Sequence, residues 1–129
     1  MWMIFFIAIG GATGAVSRYL VGLAVTSFIG AGFQPLATLM VNVVGSGIMG
    51  LFYALLGLGL ITSDQLRGLV MIGFLGALTT FSSFSLDAVS LIEKGQIVLG
   101  LTYVLCSVFF SLLAFYLVMI LTRGIIAGH

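Results

Sequence analysis

Gly73-Phe74-Leu75-Gly76-Ala77-Leu78-Thr79-Thr80-Phe81-Ser82-Ser83-Phe84-Ser85 places five hydroxyls and two glycines inside a long apolar stretch. A helix facing lipid along its whole length would not be written this way, because backbone in hydrocarbon must satisfy its polar groups internally. Irregular backbone is tolerated at that depth where it is buried in protein or lines a cavity, and Ser and Thr hydroxyls satisfy the freed groups. The run therefore predicts a membrane helix broken near residues 76–80, with unwound carbonyls suited to a cation. The competing reading is a continuous helix whose hydroxyls bond the carbonyls one turn back.

The rest of the chain supplies the membrane context. Of 129 residues, 62% are hydrophobic and 5% charged, against roughly a quarter charged in soluble domains. A water-soluble globule is excluded. The formal charge is +1, so there is no basic surface for nucleic acid. One cysteine, Cys106, and one histidine, His129, furnish neither a disulfide nor a catalytic triad, and the chain does not read as an enzyme.

Arg18 alone interrupts the first 63 residues, and Pro35 is the one strong breaker there. A bilayer core takes about 20 helical residues, so the sequence predicts a single all-α membrane domain over residues 1–129. Its helices fall at about 3–28, 36–61, 66–92 and 96–122. Thr62 and Gln65 stand at capping-box spacing with Asp64 in the first turn of helix three, and Gly95 reads as a left-handed cap after Lys94. A cleaved signal peptide ending near Ala15-Val16-Ser17 is a rival for the N-terminus, but Met1-Trp2-Met3 supplies no basic region, and Trp2 reads as an interfacial anchor.

Cytoplasmic loops carry an excess of Lys and Arg, and here that bias is missing. Four spans put Arg67 and Arg123 on one side and Lys94 with Arg18 toward the other. Two against two leaves insertion without a preference, which predicts dual topology. Inverted copies would pair as an antiparallel homodimer, building with two chains the inverted repeat that larger transporters carry in one.

Small residues four apart at Gly10/Gly14, Ser46/Gly50 and Gly73/Ala77 imply close helix packing, not activity. Asn42 in helix two needs hydrogen-bond partners at membrane depth, either another helix or a pore. Phe81 and Phe84, three apart, share a face if helix resumes after the break. Their electropositive edges would suit a small anion, held weakly enough to conduct; ordinary core or lipid-facing packing is the alternative. Tyr103, Ser107 and Ser111 form a polar stripe on helix four that either lines a path or bonds its own backbone. Arg18 either snorkels or adds positive potential at a pore mouth. Asp87, one turn after Phe84, reads as a polar helix end or a proton relay.

Three ordered motifs together resemble a known family. Gly10-Gly11-Ala12-Thr13-Gly14-Ala15-Val16-Ser17-Arg18-Tyr19, then Thr38-Leu39-Met40-Val41-Asn42 with Gly45, then Gly73-Phe74-Leu75-Gly76 with Thr79-Thr80-Phe81-Ser82-Ser83-Phe84 are similar to the small bacterial fluoride channels, the Fluc or CrcB family. The resemblance spans all four helices. It implies a multi-pass protein of the bacterial inner membrane, working as an antiparallel dual-topology homodimer with two fluoride pores.

By that resemblance, Phe81 and Phe84 present ring edges to fluoride, and Asn42, Thr38, Ser82, Ser83, Tyr103, Ser107 and Ser111 supply the amide and hydroxyls of the path. Arg18 stands in the vestibule. Carbonyls of Gly76 and Thr79 from both subunits would hold a structural sodium ion, and no organic cofactor is implied. The implied function is passive export of cytoplasmic fluoride, conferring resistance to it. Departures from the family pattern are Ser83 for the commoner threonine, Ala37 for a glycine, and Gly47 where an aromatic residue is frequent.

The alternative is a small multidrug-resistance-type proton-coupled antiporter, which is also a four-helix dual-topology dimer. It needs a carboxylate in the first helix, and this chain has no Asp or Glu before Asp64.

Overall fold

Chain geometry begins with two long helices joined at a glycine and a proline. The structure, a computed structural model, describes residues 2–128. Helix α1 (Trp2–Phe28) is followed by Gly30, whose φ of 128° suits only glycine. A 3₁₀ turn, Ala31–Phe33, leads into α2 (Gln34–Gly57), where Pro35 sits in the first turn and its missing N–H is harmless.

After α2 come a short α3 (Asp64–Leu66), a π-helix (Arg67–Leu75), α4 (Gly76–Leu78), α5 (Phe81–Glu93) and α6 (Ile97–Ala127). Four spans, Trp2–Phe28, Ala31–Gly57, Asp64–Glu93 and Ile97–Ile126, are long and apolar enough to cross a bilayer. The protein is an all-helical, multi-pass membrane protein.

The ends of the helices refine the sequence expectations. Helix α2 stops at Gly57 rather than near 61, because Gly59 adopts φ 71° and its N–H bonds the Leu56 carbonyl while Leu60 N–H bonds Leu55. That pair of bonds is a Schellman closure. The same closure occurs at Gly95, with φ 78° and bonds from Gly95 to Ile92 and from Gln96 to Leu91, as its glycine predicts. The cap of α3 is Ser63 rather than Thr62: Ser63 Oγ accepts from Leu66 N–H at 3.3 Å. Helix α6 runs to Ala127, five residues past the expected end at 122, since Thr122-Arg123-Gly124-Ile125-Ile126 contains no proline to stop it.

Glycines let the backbones approach. α1 packs chiefly on the π-helix and α2 on α6. A Cβ on Gly10 would collide with the Leu69 carbonyl, one on Gly14 with the Phe74 carbonyl, and one on Gly50 with the Phe115 carbonyl. Without a hydrophobic drive between helices in lipid, such close contact is what van der Waals attraction needs. The apolar core is correspondingly small. Leu75 is fully buried with Val41 and Leu78, and a second cluster joins Ala88, Leu91 and Tyr103.

Adding a methyl to Gly50 therefore separates α2 from α6. Gly50→Ala lowers the unfolding free energy in detergent by about 1–3 kcal/mol, although alanine is the better helix former. Gly11→Ala, where a Cβ meets nothing within 4 Å, does not. Equal stability of the two variants in thermal unfolding would refute this packing account.

Candidate functional site

Between α4 and α5 the chain leaves the helix for two residues. Thr79 has φ −76° and ψ 152°, and Thr80 has φ −153° and ψ 128°, both extended. The freed backbone is held from α2: Thr80 N–H donates to Asn42 Oδ1 at 2.7 Å, and Asn42 Nδ2 donates to the Thr80 carbonyl at 3.0 Å. A carboxamide matches a peptide's donor and acceptor at once, so Asn42 takes the place of the missing helical partners. One amide hydrogen of Asn42 remains beyond this pair.

The hydroxyls of the run divide into two groups. Thr79 Oγ1 bonds the Leu75 carbonyl at 2.8 Å and Ser85 Oγ bonds Phe81 at 2.9 Å, both one turn back. Thr80 instead caps α5, its Oγ1 accepting from Ser83 N–H at 3.2 Å while lying within hydrogen-bond distance of the Ser82 and Ser83 hydroxyls. Arg18 Nη1 reaches across from α1 and donates to Ser83 Oγ at 3.2 Å.

The first turn of α5 divides two clefts. The first, of about 320 Å³, is lined by Arg18, Gln34, Thr38 and Ser83. Arg18 has no carboxylate partner among the described residues, so its charge gives this cleft a positive potential. The second cleft, of about 300 Å³, brings together Asn42, Ser46, Thr80, Phe81, Phe84, Ser107 and Ser111. Phe81 is 77% exposed and its ring meets Phe84 at 5.3 Å; Phe84 in turn meets Tyr103 at 5.6 Å. Ser107 is only 4% exposed, its hydroxyl beside that of Tyr103 and making no hydrogen bond within 3.5 Å.

The structure thus gathers Asn42, Phe81, Phe84, Ser107 and Ser111 in one cleft and Arg18, Thr38 and Ser83 in the other. Tyr103 lines neither, standing behind Phe84 and donating to Asp87 Oδ2 at 3.4 Å. Ser82 also lines neither and is exposed beside Thr80. Gly76 is exposed and Thr79 borders the second cleft. No group of three or more His, Cys, Asp or Glu side chains occurs among the described residues.

A family model for the CrcB-like protein, described as Camphor Resistance (CrcB), matches residues 5–119. The chain belongs to the CrcB family. It is 47% identical over 121 residues to a protein of Hahella chejuensis (strain KCTC 2396) named fluoride-specific ion channel FluC, covering 94% of each chain. A protein of the same name from Magnetococcus marinus (strain ATCC BAA-1437 / JCM 17883 / MC-1) is 44% identical over 117 residues, covering 91% of this chain and 94% of the relative.

Within this CrcB chain, sequence reasoning missed three site features. Thr38 Oγ1 donates to Asp87 Oδ2 at 2.6 Å, which with Tyr103 gives Asp87 two hydroxyl partners. Ser46 enters the second cleft through its α2 register, four residues after Asn42. Gly45 lies where a Cβ would overlap the Thr79 methyl. Of these, only the spacing of Asn42 and Ser46 was a usable signal.

Proposed function

We propose that the protein is a fluoride-selective passive channel of the bacterial inner membrane, exporting cytoplasmic fluoride and so conferring resistance to it. The observation that carries the reading is the gathering of the Phe81 and Phe84 rings with the Asn42 amide and the Ser107 and Ser111 hydroxyls in one cleft. Donors and electropositive ring edges converging on one cleft, with no full charge among them, suit an anion that must be bound weakly enough to pass. The names of the two bacterial relatives point to fluoride.

Fluoride is small and holds its water tightly, so a pore must replace that water with donors in a narrow passage. The residues divide the work. Arg18, with Ser83 beside it, gathers the anion at the mouth by its unneutralised charge, while Thr38 lines the mouth with its proton committed to Asp87. Ser107, Ser111 and the spare amide hydrogen of Asn42 donate along the cleft, and Phe81 and Phe84 add positive ring edges. The N-terminus of α5, opening at Phe81, contributes its dipole. No full charge lies among those cleft residues, so the ion is bound weakly enough to leave. Tyr103 backs Phe84 and fixes its ring, and Ser82 supports the Thr80 cap.

The working unit in this proposal is an antiparallel dual-topology homodimer with a pore in each half. Phe81 and the extended Thr79 and Thr80 stand at an open cleft, and polar backbone at membrane depth needs protein cover; a second, inverted copy provides it. A structural sodium ion at the centre fits the donor set. Thr80 N–H, the ordinary helical partner of the Gly76 carbonyl, is taken by Asn42, and Ser83 N–H, the partner of the Thr79 carbonyl, is taken by the Thr80 hydroxyl. Gly76 and Thr79 would hold the ion through these oxygens, without a carboxylate, as suits a monovalent cation.

Expression in bacteria lacking their own fluoride exporter tests the function. Growth is restored in millimolar fluoride together with low cellular fluoride. Unrestored growth with the protein present in the membrane would contradict it.

A further inference from the structure

Two further cavities adjoin one another, the polar one sharing Gln34 with the Arg18 cleft. The polar one, of about 310 Å³, is lined by Gln34, Asp87, Ser90, Lys94 and Gln96. The apolar one, of about 400 Å³, is lined by Leu36, Leu39, Leu99, Thr102, Tyr103 and Cys106. Pro35, Leu91 and Gln96 border both, so together they form one groove between the start of α2, the end of α5 and the start of α6.

We propose that this groove binds an anionic glycerophospholipid, its phosphate at Lys94 and one acyl chain lying along α6 as far as Cys106. Three observations choose this occupant. Lys94 has no carboxylate partner among the described residues, and Gln34 and Gln96 add amide donors at the same mouth. Asp87 lines the crevice too, its Oδ2 accepting from Thr38 and Tyr103; those neutral hydroxyls leave its charge in place, so Lys94 and the two amides hold the phosphate against that carboxylate. The groove begins at the loop of Lys94 and Gly95 and follows α6 from Gln96 to Cys106, which at 1.5 Å per residue is about 15 Å. That is the depth of one leaflet of a hydrocarbon core about 30 Å thick. Its polarity runs the same way as a lipid, with a cation at the interface and apolar walls below. A seated chain packs against Tyr103, whose ring touches Phe84 on the other side.

The test is binding, measured without reference to transport, so its outcome is separate from that of the channel reading. In the full-length protein, Trp2→Phe with Leu99→Trp leaves one tryptophan in the groove. Reconstituted vesicles are titrated with brominated-chain phosphatidylglycerol or brominated-chain phosphatidylcholine. One lysine at an anionic surface predicts quenching by phosphatidylglycerol at about fivefold lower mole fraction, with the preference abolished by Lys94→Ala. Native mass spectrometry of the otherwise unaltered protein checks the same point: retained phosphatidylglycerol is expected, and its loss in Lys94→Ala. Equal quenching by both lipids, no quenching by either, or a preference unchanged in Lys94→Ala would each overturn the proposal.

Discussion

Phe81→Ile and Phe84→Ile each reduce fluoride efflux from reconstituted vesicles by about tenfold or more, taking an aromatic edge contact at its upper value near 1.5 kcal/mol. The two variants separate transport from folding. Phe81 is 77% exposed, so removing its ring uncovers little core. Phe84 packs on Phe81 and Tyr103, so its replacement also loosens the α5 and α6 contact. Isoleucine keeps the site apolar while removing the electropositive edge, which is the property the mechanism requires. Phe109→Ile, on a face outside both clefts, retains wild-type efflux. Wild-type efflux in both Phe81→Ile and Phe84→Ile would remove the rings from the path.

Asn42→Asp abolishes fluoride efflux at neutral pH. The carboxylate still accepts from Thr80 N–H, but it no longer donates to the Thr80 carbonyl, 3.0 Å from the present amide nitrogen. Two oxygens then face each other in low dielectric, and a negative charge stands beside the anion path. Leaving the carbonyl unpaired lowers stability by about 1–3 kcal/mol, readable in thermal unfolding, while repulsion of the anion is readable only in flux. Undiminished flux in Asn42→Asp would confine Asn42 to holding the Thr80 backbone.

The spans were legible in the sequence because so few charges interrupt it, and charges are what a bilayer excludes. Gly95 was legible as a left-handed cap because glycine after an apolar helix has few other uses. The end of α2 was not, since Leu58-Gly59-Leu60-Ile61 continues the apolar pattern and only the backbone bonds reveal the closure at Gly59. The π-helix over Arg67–Leu75 left no mark either. Its sequence is ordinary apolar helix, and the close approach of α1 at Gly10 and Gly14 is a tertiary fact.

At the site, residue types announced a polar path but not its division into two clefts. That division depends on Arg18 finding Ser83, 65 residues away, and on Asn42 finding Thr80, 38 residues away. Asp87 is the sharpest instance. From the sequence it read as a polar helix end or a proton relay, and its role as acceptor for Thr38 and Tyr103 emerges only when α2, α5 and α6 meet.

The most direct test of the channel reading uses the purified protein in liposomes loaded with fluoride and chloride together, with a potassium ionophore added and each anion followed by its own electrode. Fluoride is released rapidly, driven by its gradient alone, while chloride is retained. Retention of both anions in vesicles shown to contain the folded protein, or release of both alike, would contradict the channel reading.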